Sequence, residues 1–153
     1  MFCIKRDPAK VLGSAVARST QTLGCFFGTM TLTYPCPCCG HLVFDEPPGS
    51  YDICPICFWE DDLSQLRFPM TGGANHVSLI DGQLNFERYG VCETRFQSKV
   101  RAVASSDVRD SDWRPIDEAR DNIEAPVPGV EYGETYPADC TRLYYWRRSY
   151  WRK

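Results

Sequence analysis

Five cysteines stand between Cys36 and Cys57, in "YPCPCCGH" and "YDICPICFWEDD". Cys36 with Cys39 and Cys54 with Cys57 each read Cys-Pro-x-Cys, and 14 residues separate the two pairs. A Cys-x-x-Cys turn points both sulfurs at one ion, and two such knuckles set face to face complete a tetrahedron with metal–sulfur bonds of ~2.3 Å. The proline of each turn restricts the backbone, and Gly40 permits the positive φ that often follows a knuckle. Four thiolates leave no open coordination position, so this chemistry is structural rather than hydrolytic. Zinc is the expected ion; iron is the alternative, because sulfur ligands at this spacing do not separate the two.

Cys38 is the thiol left over. Lying between two ligands in "CPCC", it is expected to be a packed cysteine, with an extra ligand or a redox-sensitive thiol as the other readings. Thiolates nearby raise its pKa and so disfavour a reactive anion. His41, directly after Gly40, is expected at the surface or beside the ligands, with donation to a knuckle sulfur or substitution for a ligand as the other readings. His76 reads as a packing or capping group. Cys3, Cys25, Cys92 and Cys140 have no partner spacing and read as inert.

The elements that position these residues follow from short-range signals. "LVF" is a strand candidate and "DEPPGS" the connecting loop. Residues 63–76 read as a loop. The clearest helix starts at Ser78 as N-cap, with Asp81 three residues on, and ends at Gly90 as C-cap. Leu79, Ile80, Leu84 and Tyr89 give it an approximate apolar face, weakened by Gly82. A second helix is expected in "CETRFQSKVRAVA", and a terminal aromatic strand in "TRLYYWRRSYW". The fold class is α+β: a small zinc-ribbon-like N-terminal knuckle pair packed on helices, with a C-terminal strand.

The chain has 153 residues, enough for one domain with a core, and a formal charge of -3. No basic residue lies between Arg18 and Arg67, whereas the tail after Thr141 is basic and aromatic. Residues 1–29 read as a leader, disordered or upstream of a true start at Met30. From Met30 on there are 13 basic and 19 acidic residues, a net of -6. Residues 30–153 then form the working domain. Nine cysteines is an odd number, and close Cys-x-x-Cys pairs suit chelation in a reducing compartment, here the cytoplasm. No apolar run is long enough to cross a membrane.

"YPCPCCG", "DEPPGSYDICPICFWEDD", "GGAN" followed by "VSL", and "NFERYG" resemble the bacterial cysteine-rich CPCC domain family, over roughly residues 34–115. "WRPIDEARDNIEAPVPGVEYGETYP…LYYWR" looks like the longer C-terminal extension of some members. The resemblance implies a small cytoplasmic zinc-binding module, with Cys36, Cys39, Cys54 and Cys57 matching the cysteine motif and Cys38 its extra cysteine. Some relatives resemble genes that travel with secreted interbacterial toxins, where small acidic proteins act as immunity partners.

Three functions are therefore weighed. The first is a non-catalytic protein that binds a protein partner, concretely an immunity protein or antitoxin, using Phe58, Trp59, Glu60, Asp61 and Asp62 as aromatic anchor and carboxylates against a basic toxin. The second is nucleic-acid binding through the tail rings Tyr144, Tyr145, Trp146, Tyr150 and Trp151, interleaved with arginines, although the acidic balance speaks against it. The third is a rubredoxin-like iron redox module, which "YDICPICFW" resembles. No nucleophilic triad, phosphate-binding glycine loop or carboxylate pair suggests an enzyme.

Overall fold

A computed structural model describes residues 32–133 and 135–152. The leader at 1–29, the start at Met30, Cys3 and Cys25 lie outside them. Strand β1, Tyr34–Pro35, pairs antiparallel with β2, Leu42–Phe44, across the first knuckle. The "LVF" strand is thus where its β-branched and aromatic residues put it. Residues 63–76 are not a plain loop. A short helix, α1, spans Leu63–Arg67 because Asp62 caps it, accepting from the Ser64 and Gln65 amides at 2.7 and 3.4 Å.

Helix α2, Leu79–Tyr89, has the expected ends: Ser78 accepts from the Asp81 amide, and Gly90 closes it at φ 76°. Its buried face is not the expected one. Leu79 is buried with Gly82 and Gln83, while Leu84 and Tyr89 are exposed. Gly82 is there for contact. A Cβ on it would stand 2.9 Å from one carbon of the fully buried Trp59 indole and 3.2 Å from the next. Gly82→Ala is expected to lower stability by about 1–3 kcal/mol through overpacking, outweighing the ~1 kcal/mol that alanine gains in helix propensity. A urea midpoint at or above the parent's would show that Trp59 yields freely.

Two expected elements take other forms. The second helix is only a 3-10 helix, Thr94–Lys99, that buries no residue. The terminal strand is a 3-10 helix, Cys140–Leu143, followed by turns. The reason is the burial of Leu143, Tyr144, Tyr145 and Trp146 in succession. A strand covered on one face alternates buried and exposed side chains, whereas these four consecutive residues are all buried, among several elements rather than against one sheet. Their polar atoms are separately satisfied: Tyr144 Oη donates to the Pro35 carbonyl at 3.1 Å, Tyr145 Oη donates to the Arg114 carbonyl, and Trp146 Nε1 donates to Asp110 at 3.2 Å.

The resulting α+β fold has one two-stranded sheet and short helices among the described residues. Its core gathers the knuckle cysteines, Trp59, Leu79, Leu143 and Tyr144 into one cluster. Among the described residues no helix is long and apolar enough to cross a membrane.

Candidate metal centre

The two knuckles fold by the same local hydrogen bonds. In the first, the Gly40 amide donates to the Cys36 carbonyl at 2.7 Å and the Cys36 amide to the His41 carbonyl at 2.9 Å. In the second, Phe58 donates to Cys54 at 2.9 Å and Cys54 to Trp59 at 2.8 Å. Both turns close with a left-handed residue, Gly40 at φ 78° and Phe58 at φ 65°. Phenylalanine adopts that conformation at a cost of order 1–3 kcal/mol, borne where the surroundings over-determine the backbone. Here its ring stacks on Phe96 with centroids 4.1 Å apart.

The four sulfurs of Cys36, Cys39, Cys54 and Cys57 all lie within 4.8 Å of one another, and all four residues are fully buried. Cys36 Sγ is 3.6 Å from Cys57 Sγ, and Cys39 Sγ is 3.7 Å from Cys54 Sγ. None is in a disulfide, whose S–S bond would be ~2.05 Å. A tetrahedron with ~2.3 Å metal–sulfur bonds has edges of about 3.8 Å, so the sulfur set fits a single ion. These four cysteines are positioned to bind a metal. Burial pushes the Cys36 and Cys57 thiols well up. Burial also acts on Cys39, but hydrogen bonding with Cys36, Cys54, Cys57 and His41 outweighs it and holds that thiol well below its ordinary value.

Cys38 is fully buried and outside the four-sulfur set. Burial raises its pKa, and a Cβ on Gly82 would lie 3.6 Å from its sulfur. It packs the centre against α2. Cys92 is a buried free cysteine outside the four-sulfur set, and its backbone amide donates to the Cys57 carbonyl at 2.7 Å. His41 is buried beside the centre, its ring edge-on to Phe86 at 6.3 Å. His76, by contrast, is exposed and caps nothing; Ser78 does that.

Carbonyls of both knuckles are capped from elsewhere. Gln83 Nε2 and Trp113 Nε1 both donate to the Pro37 carbonyl, at 2.8 and 3.0 Å. Arg109 Nε donates to the Cys39 carbonyl at 2.8 Å, and its guanidinium lies 4.1 Å from the Trp113 ring centroid. The Arg101 amide reaches Pro55 at 3.0 Å. Trp113 approaches Gly40 so closely that a Cβ there would sit 2.6 Å from the indole, a second reason for glycine besides φ.

Three of the five residues expected to dock a partner do other work. Trp59 is fully buried in the core. Asp61 is buried, and its Oδ2 accepts from the Gly49 and Ser50 amides and the Ser50 hydroxyl, at 2.8, 3.0 and 2.9 Å. Burial raises its pKa despite these bonds. Asp62, besides capping α1, accepts from the Ala74 amide at 2.8 Å. Burial acts against its charge, but the bonds from Ala74, Ser64 and Gln65 win and lower its pKa. An acidic run next to an aromatic residue reads as a solvated face only if its carboxylates lack local donors, and these two have them. Phe58 and Glu60 remain half-buried at the surface.

Sequence reasoning passed over two buried amides. Gln65 Nε2 donates to the Thr71 and Val77 carbonyls at 3.0 and 2.9 Å, and its Oε1 accepts from Asn75. Asn75, the last residue of "GGAN", in turn exchanges bonds with the Glu60 backbone at 2.9 and 2.8 Å. This network ties the Gly-Gly loop to the segment after the second knuckle.

Residues 34–107 match the family described as Cysteine-rich CPCC. Through this segment the chain belongs to the cysteine-rich CPCC family. Nothing among curated proteins matches the chain. The matched segment includes Gln83, Cys92 and Arg101 but stops short of Arg109, Trp113 and Tyr144, so the supports of the centre come from both within it and beyond it.

Proposed function

We propose that the four cysteines hold one zinc ion in a closed, zinc-ribbon-like structural centre, and that the protein acts without catalysis by binding another protein. The observation that carries the metal reading is the convergence of four fully buried sulfurs at tetrahedral edge lengths. Four such thiols cannot all ionise in a desolvated pocket without a cation to offset their charge. With every coordination position taken by sulfur, no water or substrate reaches the ion, which is why the reading is structural rather than enzymatic. Free thiols of this kind persist in a reducing compartment such as the cytoplasm.

Partner binding is supported by the net acidity of residues 30–153 and by surface carboxylates, such as Asp45, Glu46 and Asp52, that make no salt bridge among the described residues. A partner of basic character fits, concretely a bacterial toxin that this protein neutralises as an immunity protein or antitoxin. The nucleic-acid alternative loses its stacking platform: Tyr144, Tyr145, Trp146 and Tyr150 are core residues, and Arg147 is tied to Asp110 at 2.5 Å. Native mass spectrometry of the chain, purified without chelator, is expected to give one zinc per chain. One iron instead would favour the rubredoxin-like redox reading, and no metal would overturn the centre.

A further inference from the structure

The turn that buried Asp61 fixes, at 49–51, presents Tyr51 outward. Tyr51 has φ 62° and is 63% exposed. A bulky residue held in the left-handed region and turned to solvent costs energy without returning core contacts, and such strain gathers at sites of function. The Tyr51 amide is itself held, donating to the Asp61 carbonyl at 3.2 Å. Ile53, two residues on, is 49% exposed. With Phe58 and Phe96 it lines a cleft of about 90 Å³ that also takes in Glu60 and His76.

Apart from Arg95, whose guanidinium lies 4.5 Å from the Phe96 ring centroid, the charge around this apolar strip has one sign. Asp52 is exposed and Glu60 half-buried, and Asp45 and Glu46 are exposed in the loop that leads to Tyr51. None of these four carboxylates meets a cation within salt-bridge distance among the described residues. The one arginine lining the cleft, Arg95, is held by Glu93 at 2.9 Å. Carboxylates without cations repel phosphate, which speaks against nucleic acid here. A second copy offers as its basic segment only the tail, where Tyr144, Tyr145, Trp146 and Tyr150 are buried and Arg147 is tied to Asp110.

We propose that Tyr51, Ile53, Phe58 and Phe96, with the Asp52 and Glu60 carboxylates, form a docking face for a basic protein segment. That segment places an Arg or Lys against the carboxylates and an apolar neighbour in the cleft. This rests on the protein-binding reading above and gives it a place and a chemistry. It also corrects that place: Phe58 and Glu60 stay in the face, and Tyr51, Asp52, Ile53 and Phe96 take over from the buried Trp59, Asp61 and Asp62.

The test uses the full chain with a photo-crosslinking benzoylphenylalanine at position 51 and, in separate preparations, at exposed Leu84 and Val130. Each is irradiated in cells, and the adduct is sequenced. The expected adduct at position 51 is a peptide with Arg or Lys beside an apolar residue. Asp52→Asn/Glu60→Gln is expected to weaken its binding at least tenfold while leaving the melting temperature unchanged. A protein captured at 84 or 130 but not at 51 overturns this face and leaves protein binding standing. No protein adduct at any of the three positions sinks both readings. An acidic segment or a nucleic acid at 51, or binding indifferent to the double substitution, overturns the charge assignment.

Discussion

Cys54→Ser is expected to emerge from purification without bound metal and without a cooperative melting transition. Cys54 is fully buried, with its sulfur 3.7 Å from that of Cys39. A serine hydroxyl is a hard, weakly acidic donor and does not replace a thiolate on a borderline-soft ion. A structural zinc contributes on the order of 10 kcal/mol or more to folding, comparable to the ~5–15 kcal/mol that separates a whole domain from its unfolded chain. The loss therefore spreads beyond one knuckle, because Trp59 and the α2 face pack on the cysteine cluster. Native mass spectrometry and near-ultraviolet circular dichroism on heating read the two effects. Cys38→Ala is the control: equally buried but outside the sulfur set, it is expected to keep one metal and lose only about 1 kcal/mol of packing. A Cys54→Ser protein that kept one equivalent of metal would remove Cys54 from the ligand set.

Arg67→Ala is expected to cost about 3–5 kcal/mol, the range for breaking a buried ion pair from one side. Arg67 is 4% exposed in the last turn of α1. Its Nε donates to Glu124 at 3.0 Å and its Nη1 to the Thr135 hydroxyl at 2.9 Å. Four aromatic rings surround the guanidinium, with the centroids of Phe68, Tyr132, Tyr136 and Trp151 at 4.9, 4.7, 4.7 and 4.8 Å. Three of those rings and Glu124 belong to the part of the chain beyond the family match, so one side chain fastens that part to α1. Cation–π attraction adds ~0.5–2 kcal/mol where the cation is desolvated. Arg67→Lys is expected to recover less than half of the loss, because an ammonium cannot reproduce the planar fork or its stacking. Urea unfolding measures both variants. An alanine variant within about 0.5 kcal/mol of the parent, the scatter of ordinary surface substitutions, would show that the cage is not a fastening.

What the chain discloses locally, it disclosed well. The Cys-Pro-x-Cys spacing, the "LVF" strand and both ends of α2 depend on neighbours a few residues away, and they stand where such neighbours put them. Asp62-Leu-Ser-Gln65 also has the spacing of a capping box, but the Pro and Gly-Gly that follow are loop signals of equal local strength. Arg67, Gln65 and Gln83 could not be read this way. Each is a polar residue whose burial makes sense only through partners far along the chain, as in the 57-residue separation of Arg67 from Glu124. The tail failed for the same reason. Tyr and Trp favour strands in general, and this stretch coils because its hydroxyls and indole bond to Pro35, Arg114 and Asp110 rather than face one neighbouring strand.

The bond from Tyr144 to the Pro35 carbonyl spans 109 residues, and that separation is also an interval of time. At ~5–20 residues per second on the ribosome, Tyr144 is made roughly 5–20 s after the strand it caps. Cys36 through Cys57 leave the exit tunnel well before Trp113 and Tyr144 exist to cover them. During that interval the nascent knuckles are open to solvent, so metal capture competes with thiol oxidation. The finished fold closes over the four sulfurs, so an ion that enters before Tyr144 is made meets an open site and one that comes later meets a buried one.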